Sequence, residues 1–276
     1  MEKRRLGNSD LLIAPLVFGG NVFGWTVDEK TSFALLDAFV DAGFNCIDTA
    51  DSYARWFPGN KGGESETIIG KWMKQKGNRE KLIISTKVGS DMGLGRKCLE
   101  KKYILRAAED SLLRLQTDYI DLYQSHYDDL STPVSETLEA YDQLIREGKV
   151  RMIGTSNMSA ERIKESLEYS KKNNLPRYQT LQPEYNLYDR ETYEETYEAL
   201  CLKEGLGVIT YYALASGFLT GKYRSEADLT KSKRGSAVQK YLDERGFRIL
   251  RALDDMAAKY NTSPAVISLA WIMHRP

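Results

Sequence analysis

Asp48, Tyr53, Lys87 and His126 are the residues of this chain whose types and placement suit chemistry: an acid, a phenol, an amine and an imidazole. Each lies where a short apolar run gives way to polar residues, in "FNCIDTADSY", "LIISTKVG" and "YIDLYQSHYDD". If those runs are parallel strands of one barrel, their ends converge on one face and the four side chains meet. The chemistry of such a meeting is proton transfer. A phenol has a pKa of about 10 and is a poor acid at neutral pH, but an adjacent ammonium stabilises its ionised form and lowers that value. Lys87 would supply the ammonium, and Asp48 the counter-charge that a partly buried lysine needs. The bland alternative for Asp48 and Lys87 is an ion pair that ties neighbouring strands together. His126 is suited to hydrogen-bonding a carbonyl oxygen. The other histidine, His274, falls in the last helical run and reads as structural or superficial.

The elements that must position these residues alternate. Strands are predicted over Leu16–Gly19, Phe44–Asp48, Leu82–Lys87, Tyr119–Gln124, Val150–Thr155, Gln179–Gln182 and Gly207–Tyr211. Helices are predicted over Asp28–Ala42, Glu64–Lys74, Lys101–Leu115, Val134–Arg146, Ser159–Lys171 and Glu191–Lys203. In the third of these, Leu105, Ala108, Leu112 and Leu115 share one face. Asp28 and Ser159 are expected N-caps, and Gly43, Gly77, Gly148 and Gly205 expected stops. Repeated strand–helix units predict a parallel sheet covered on both faces, as a single domain over residues 1–276. The opening "KRRLGNSDLLIAP" reads as a hairpin turned at Gly7-Asn8 and covering the barrel floor. After the seventh strand come helical stretches over Tyr241–Tyr260 and from Ser263-Pro264, and the sequence then stops at "WIMHRP". A (β/α)8 TIM barrel needs an eighth strand and a final helix, so the expectation is that the C-terminal end is incomplete.

Composition narrows the partners. Lys+Arg and Asp+Glu are 39 each, which gives no reason to expect nucleic acid or an acidic membrane surface. No apolar run is long enough to span a bilayer, and the N-terminus lacks the pattern of a signal peptide. Cys46, Cys98 and Cys201 are widely spaced, which points to a reducing, cytoplasmic setting and to neither a disulfide framework nor a zinc site. No metal is expected. "GESETIIGKW" ends in Gly70-Lys71 but has Ser65 and Trp72 where a phosphate loop needs Gly and Ser or Thr, so no nucleotide loop of that kind is predicted.

Taken together, "GFNCIDTADSY", "ISTKVG", "DLYQSHYDD", "GTSNMS", "LQPEYNLYDR" and "GVITYYALASGFLTGKYR" resemble the aldo-keto reductase family from about Leu12 onward. The likeness is closest to bacterial oxidoreductases related to potassium-channel β subunits. It implies a (β/α)8 barrel with Asp48, Tyr53, Lys87 and His126 as catalytic tetrad. It implies NADP(H) as cofactor, with NAD(H) open. Ser156, Asn157 and Gln182 would hold the nicotinamide carboxamide, and Gly20, Asn21 and Asp48 would also bind the cofactor. Tyr211 would stack on the ring. Leu214, Ser216, Gly217, Leu219, Lys222 and Arg224 would follow the pyrophosphate. The family segment that grips the adenosine 2′-phosphate is not in this sequence, and Tyr212-Ala213 replace a Ser-Pro found in many relatives.

Trp25, Arg55, Trp56 and Tyr127 come from loops on the predicted open face and would line a pocket for an apolar or aromatic carbonyl compound. Loop packing is the alternative for the two tryptophans, and solvation for Arg55. The functional expectation is reversible reduction of an aldehyde or ketone by a monomer or homo-oligomer. Tyr53 would act as general acid and His126 would orient the carbonyl. Two alternatives stand beside it. One is a redox-sensing regulatory subunit similar to the channel β subunits. The other is a barrel lyase or isomerase with a Schiff base on Lys87.

Overall fold

The computed structural model describes residues 2–275. Backbone contacts group the chain into two compact units, Met1–Gln182 with Cys201–Val208, and Pro183–Leu200 with Ile209–Pro276.

The first unit opens with an antiparallel pair, β1 (Arg4–Arg5) and β2 (Leu12–Ile13). Seven parallel strands follow: β3 (Val17–Gly19), β4 (Cys46–Asp48), β5 (Ile83–Val88), β6 (Ile120–Ser125), β7 (Val150–Ser156), β8 (Tyr178–Gln182) and β9 (Gly207–Val208). Their order in the sheet is their order in the chain, so every crossover moves one strand along. Among the described residues β3 and β9 are the two edges.

The sheet is curled. Gln182 Nε2 on β8 lies 3.1 Å from Asp48 Oδ1 on β4. These strands are four places apart in the sheet, a separation of roughly 19 Å if it were flat. At the other end of the strands the hairpin touches both sides at once. Asn45, before β4, bonds the backbone of Leu12 and Ala14, while a Cβ at Gly7 would sit 2.2 Å from Gln179 O on β8. The hairpin therefore covers the N-terminal ends of the strands, as a barrel floor. Its loop is longer than a two-residue turn: Leu6 N bonds Leu11 O, and Ser9 N and Oγ both bond Leu6 O.

Helices α1 (Glu29–Asp41), α2 (Glu64–Lys76), α3 (Lys101–Leu115), α4 (Val134–Arg146) and α5 (Ala160–Asn173) connect the strands. Asp28 and Ser159 cap α1 and α5 through side-chain oxygens that accept from Thr31 N and Arg162 N. The buried stripe of α3 runs through Ile104, Ala108, Leu112 and Leu115, with Leu105 at its margin. Gly70, the residue of the false phosphate loop, lets α2 close on the end of α3. A Cβ there would lie 2.2 Å from Arg114 O.

A π-helical turn of the second unit, Tyr193–Tyr197, leads into α6 (Glu198–Glu204), whose residues from Cys201 belong to the first unit; one regular helix was expected here. β9 stops at Val208 because the chain then leaves the sheet. Tyr211 instead exchanges backbone bonds with Pro183 and Tyr185. Its apolar core includes Ala215, Phe218, Leu219, Tyr223, Val238, Tyr241, Leu250 and Leu253. Leu250 and Leu253 belong to α7 (Glu244–Lys259); Ser263 caps α8 (Pro264–Met273). No helix among the described residues is long and apolar enough to cross a membrane.

Candidate active site

Lys87 is fully buried on β5, where its neighbour across the sheet is Gln124 of β6. An ammonium placed there must give all three protons to the protein. Lys87 Nζ does so, to Asp48 Oδ2 at 2.5 Å, Thr49 O at 2.8 Å and the Tyr53 hydroxyl oxygen at 2.8 Å. Burial pushes the Lys87 ammonium below the usual lysine range, and the Asp48 carboxylate pulls it back.

Asp48 ends β4 and gathers donors from three other strands. Ser85 Oγ donates to Oδ1 at 2.8 Å, Gln182 Nε2 at 3.1 Å and Gln124 Nε2 at 3.4 Å. The Tyr53 hydroxyl approaches Oδ2 at 3.3 Å. Tyr53 returns over the strand ends in a turn where its N–H bonds Ala50 O, and the next residue, Ala54, takes the left-handed conformation at φ 68°. For a residue with a Cβ that costs about 1 kcal/mol. With an ammonium 2.8 Å from it, the phenol oxygen can hold negative charge.

The peptide N–H of His126 bonds Val88 O, which fixes the residue just past the end of β6. Its ring centroid is 5.8 Å from that of Tyr53 and 4.8 Å from that of Tyr127, which stacks on it. Nδ1 lies 3.0 Å from Ser90 Oγ and 3.3 Å from Ser52 Oγ. Burial, then the Lys87 charge, hold the imidazole well below the usual histidine range, so the ring is neutral at pH 7.

Ser85 and Gln124 went unnoticed in the sequence, although a signal was there. Each stands two residues before a site residue, on the same strand face as Lys87 and His126 respectively.

Asp51 was missed as well, and it is unlike Asp48. It is 3 % exposed, and neither carboxyl oxygen has a hydrogen-bond partner among the described residues. Burial and then the Glu66 carboxylate push it up to about 8, against the pull of Arg114. Glu66 itself is satisfied, by Arg114 Nε at 2.6 Å and Thr86 Oγ1 at 2.5 Å. The folded protein thus keeps a proton on Asp51 that the unfolded chain releases near pH 4, so this residue costs stability progressively between about pH 4 and pH 8. Asp51→Asn should remove that slope. Urea unfolding is expected to show a gain over the parent that grows with pH and reaches about 2–4 kcal/mol at pH 8. Parallel pH–stability curves for the two proteins would contradict it.

The carboxamide-binding candidates join the same network. Ser156, the last residue of β7, donates to Gln182 O at 2.8 Å. Asn157, left-handed at φ 48°, donates from Nδ2 to His126 O at 2.9 Å and to Ser156 Oγ at 3.0 Å. Gln182 spends Nε2 on Asp48, which leaves Oε1 for a ligand. Gly20 gives its N–H to Asp48 O, and a Cβ on it would meet Ser65 Oγ at 2.8 Å; half-buried Asn21 follows it.

The remaining cofactor candidates lie in the second unit. Tyr212, Ala215, Ser216 and Gly217 all have positive φ, of 54°, 48°, 56° and 99°. Such a run turns successive peptide groups into a concave loop of the kind that takes anions. Tyr211 precedes the loop, with its ring 5.2 Å from that of Tyr212. Half-buried Leu214 precedes the short 3-10 segment Ala215–Thr220, which contains buried Leu219. The Lys222 ammonium lies 5.1 Å from the Tyr223 ring centroid. Arg224, by contrast, is bound at two points by Asp254, each at 2.7 Å.

Trp25 and Trp56 meet edge to face at 5.5 Å, and Trp56 lies 6.3 Å from Tyr53. With His126 and Tyr127 they make a continuous aromatic cluster beside the phenol. Arg55 is exposed and stands near Asp91, and Lys97 lies over Tyr127 at 4.6 Å. Among the described residues no group of three His, Cys, Asp or Glu could hold a metal.

A curled parallel sheet with polar side chains gathered at the C-terminal ends of its strands places the chain among the α/β-barrel enzymes. Within that class it belongs to the aldo/keto reductase family, whose sequence profile matches residues 15–276. Over its full length the chain is 36% identical to "Uncharacterized oxidoreductase YrpG" of Bacillus subtilis, covering 84% of that protein. It is 35% identical to "Aldo-keto reductase YhdN" of the same organism, again over all of this chain and 79% of the relative. A "Probable voltage-gated potassium channel subunit beta" of Oryza sativa is 34% identical over the whole chain and 84% of its own length. Family membership makes the chain an oxidoreductase of a group that generally uses NAD(P)H.

Proposed function

We propose that this protein reduces the carbonyl group of an aldehyde or ketone to an alcohol, reversibly, with NADP(H) as cofactor and NAD(H) as the alternative. The observation that carries the reading is the 2.8 Å bond from the buried Lys87 ammonium to the Tyr53 hydroxyl oxygen. That oxygen already accepts from Lys87, so charge left on it after proton release is stabilised at once.

The donor set of the first unit fits the amide of a nicotinamide. Asn157 is held in a strained conformation by its own side-chain bond, the kind of backbone cost found at ligand clamps. Ser156, Asn157 and Gln182 would grip an amide. In the second unit the left-handed loop and Lys222 carry what a pyrophosphate needs. Bound there, the cofactor would supply or accept hydride at the substrate carbon.

The chain's own residues do the rest. Tyr53 gives its proton to the carbonyl oxygen, and Lys87 stabilises the phenolate that results. Asp48 keeps Lys87 charged and in place. Neutral His126 donates a hydrogen bond to the same carbonyl oxygen and orients it. The aromatic cluster of Trp25, Trp56 and Tyr127 excludes water and suits apolar or aromatic substrates.

A second reading, a cofactor-binding redox-sensing subunit, draws support from the likeness to the Oryza sativa protein. One experiment separates them. Purified protein is given NADPH or NADH and a panel of aliphatic and aromatic aldehydes and ketones, with loss of nicotinamide absorbance as the readout. Turnover with aromatic aldehydes is expected, and the two cofactors side by side give the preference. Tight NADPH binding with no turnover on any carbonyl would favour the sensor.

A further inference from the structure

We propose that Ser52 and Ser90 are positioning residues that set the tautomer of His126, so that Nδ1 accepts a hydrogen bond and Nε2 carries the proton. The inference rests on the proposed carbonyl chemistry for its purpose, and on hydroxyl geometry for its content.

The two serines come from different loops, one after β4 and one after β5, and converge on a single ring nitrogen. Ser52 Oγ donates to Ser90 Oγ at 3.2 Å. Ser90 Oγ lies 3.0 Å from His126 Nδ1, and Ser52 Oγ 3.3 Å from it. Ser90 is 7 % exposed, so its hydroxyl proton needs an acceptor within the protein. Among the described residues the partners of Ser90 Oγ are Ser52 Oγ and His126 Nδ1. Ser52 is the donor in the first bond, which leaves Nδ1 as the place for the Ser90 proton.

The relay Ser52 to Ser90 to Nδ1 gives every hydroxyl proton an acceptor. With Ser52 donating to Ser90, the opposite tautomer puts a proton on Nδ1 and leaves the buried Ser90 hydroxyl with no acceptor among the described residues. An unsatisfied buried donor disfavours that arrangement by about tenfold or more.

The ring is also neutral, because burial and the Lys87 charge oppose an imidazolium. A neutral ring has one N–H, and the relay leaves it on Nε2. His126 can then donate to a carbonyl oxygen across the neutral pH range without taking up a proton first. It also cannot compete with Tyr53 as the source of the transferred proton. The serines therefore divide the labour, with the imidazole as orienting donor and the phenol as acid.

The test is nitrogen NMR of histidine-labelled protein, which needs no substrate. Only two histidines contribute, and the exposed His274 is removed by His274→Gln. The parent spectrum is expected to show Nδ1 as the unprotonated, pyridine-like nitrogen and Nε2 as the protonated one between pH 6 and pH 8. In Ser52→Ala/Ser90→Ala the ring should shift toward a mixture of tautomers. Its kcat for a carbonyl substrate should fall about tenfold while cofactor affinity holds. Ser90→Thr, which keeps the hydroxyl, should restore both readouts. A protonated Nδ1 in the parent protein would overturn the inference, even if no serine variant folded. So would an unchanged tautomer in the double variant. Loss of the proposed activity is a separate result: a parent protein that turns over no carbonyl still yields the spectrum.

Discussion

Replacing Tyr53 with Phe is expected to lower carbonyl turnover about a thousandfold while leaving cofactor affinity within twofold, in line with the 10²–10⁴ range for a lost general acid. The substitution removes one atom. The ring contacts with His126 at 5.8 Å and Trp56 at 6.3 Å do not depend on the hydroxyl. Lys87 keeps two acceptors, Asp48 Oδ2 and Thr49 O, so the fold should lose about 1 kcal/mol at most. What disappears is the only phenolic oxygen bonded to Lys87 among the described residues. Steady-state kinetics with an aromatic aldehyde, set beside fluorescence titration with NADPH, checks the split. A variant with a kcat near that of the parent would rule out Tyr53 as the acid.

Lys87→Met should harm the protein twice. It strands the Asp48 carboxylate in a site only 5 % exposed, and breaking a buried pair from one side typically costs about 3–5 kcal/mol. It also deprives the Tyr53 oxygen of its neighbouring charge, so activity should fall at least as far as in Tyr53→Phe. The two effects can be separated by adding Asp48→Asn. The neutral pair has no unpaired charge, and an amide oxygen can still accept from Ser85 and Gln182. Chemical denaturation should therefore show most of the stability returning in the double variant, with turnover still absent. Recovery of activity along with stability would mean that Lys87 serves the fold alone.

Asp48, Lys87 and His126 were legible in the sequence because each stands at or just past the end of an apolar strand, and Tyr53 because it follows one by a short loop; strand ends in a curled parallel sheet must meet. Ser156, Asn157 and Gln182 fall in the same network for the same reason. Boundaries were clear where a cap or a glycine punctuates the chain. Asp28 and Ser159 cap as expected, and Gly77 ends α2 at φ 58°. The loops were not legible. Nothing in "DTADSY" says that Asp51 packs beside Glu66 and Arg114 while Ser52 faces His126, because those neighbours arrive from α2, α3 and β6. Nor does "GKYR" reveal that Arg224 is bound to Asp254, an exposed partner 30 residues away. The early end of β9 is of the same kind, since the pattern "GVITYY" carries on while the backbone turns to pair with Pro183 and Tyr185.

The bond between Gln182 and Asp48 joins residues 134 positions apart. Contacts of that reach form late, since the entropy of closing so long a loop must be met before the contact repays it. By the time His126 has been added, Asp48, Tyr53, Lys87 and Gln124 are all in the chain, yet Gln182, the nearer of the two amides on Asp48 Oδ1, comes more than fifty residues later. A nascent chain can hold all four side chains and still lack the full set of donors around Asp48. The donor set on Asp48 is thus completed only when the sheet curls from β4 round to β8.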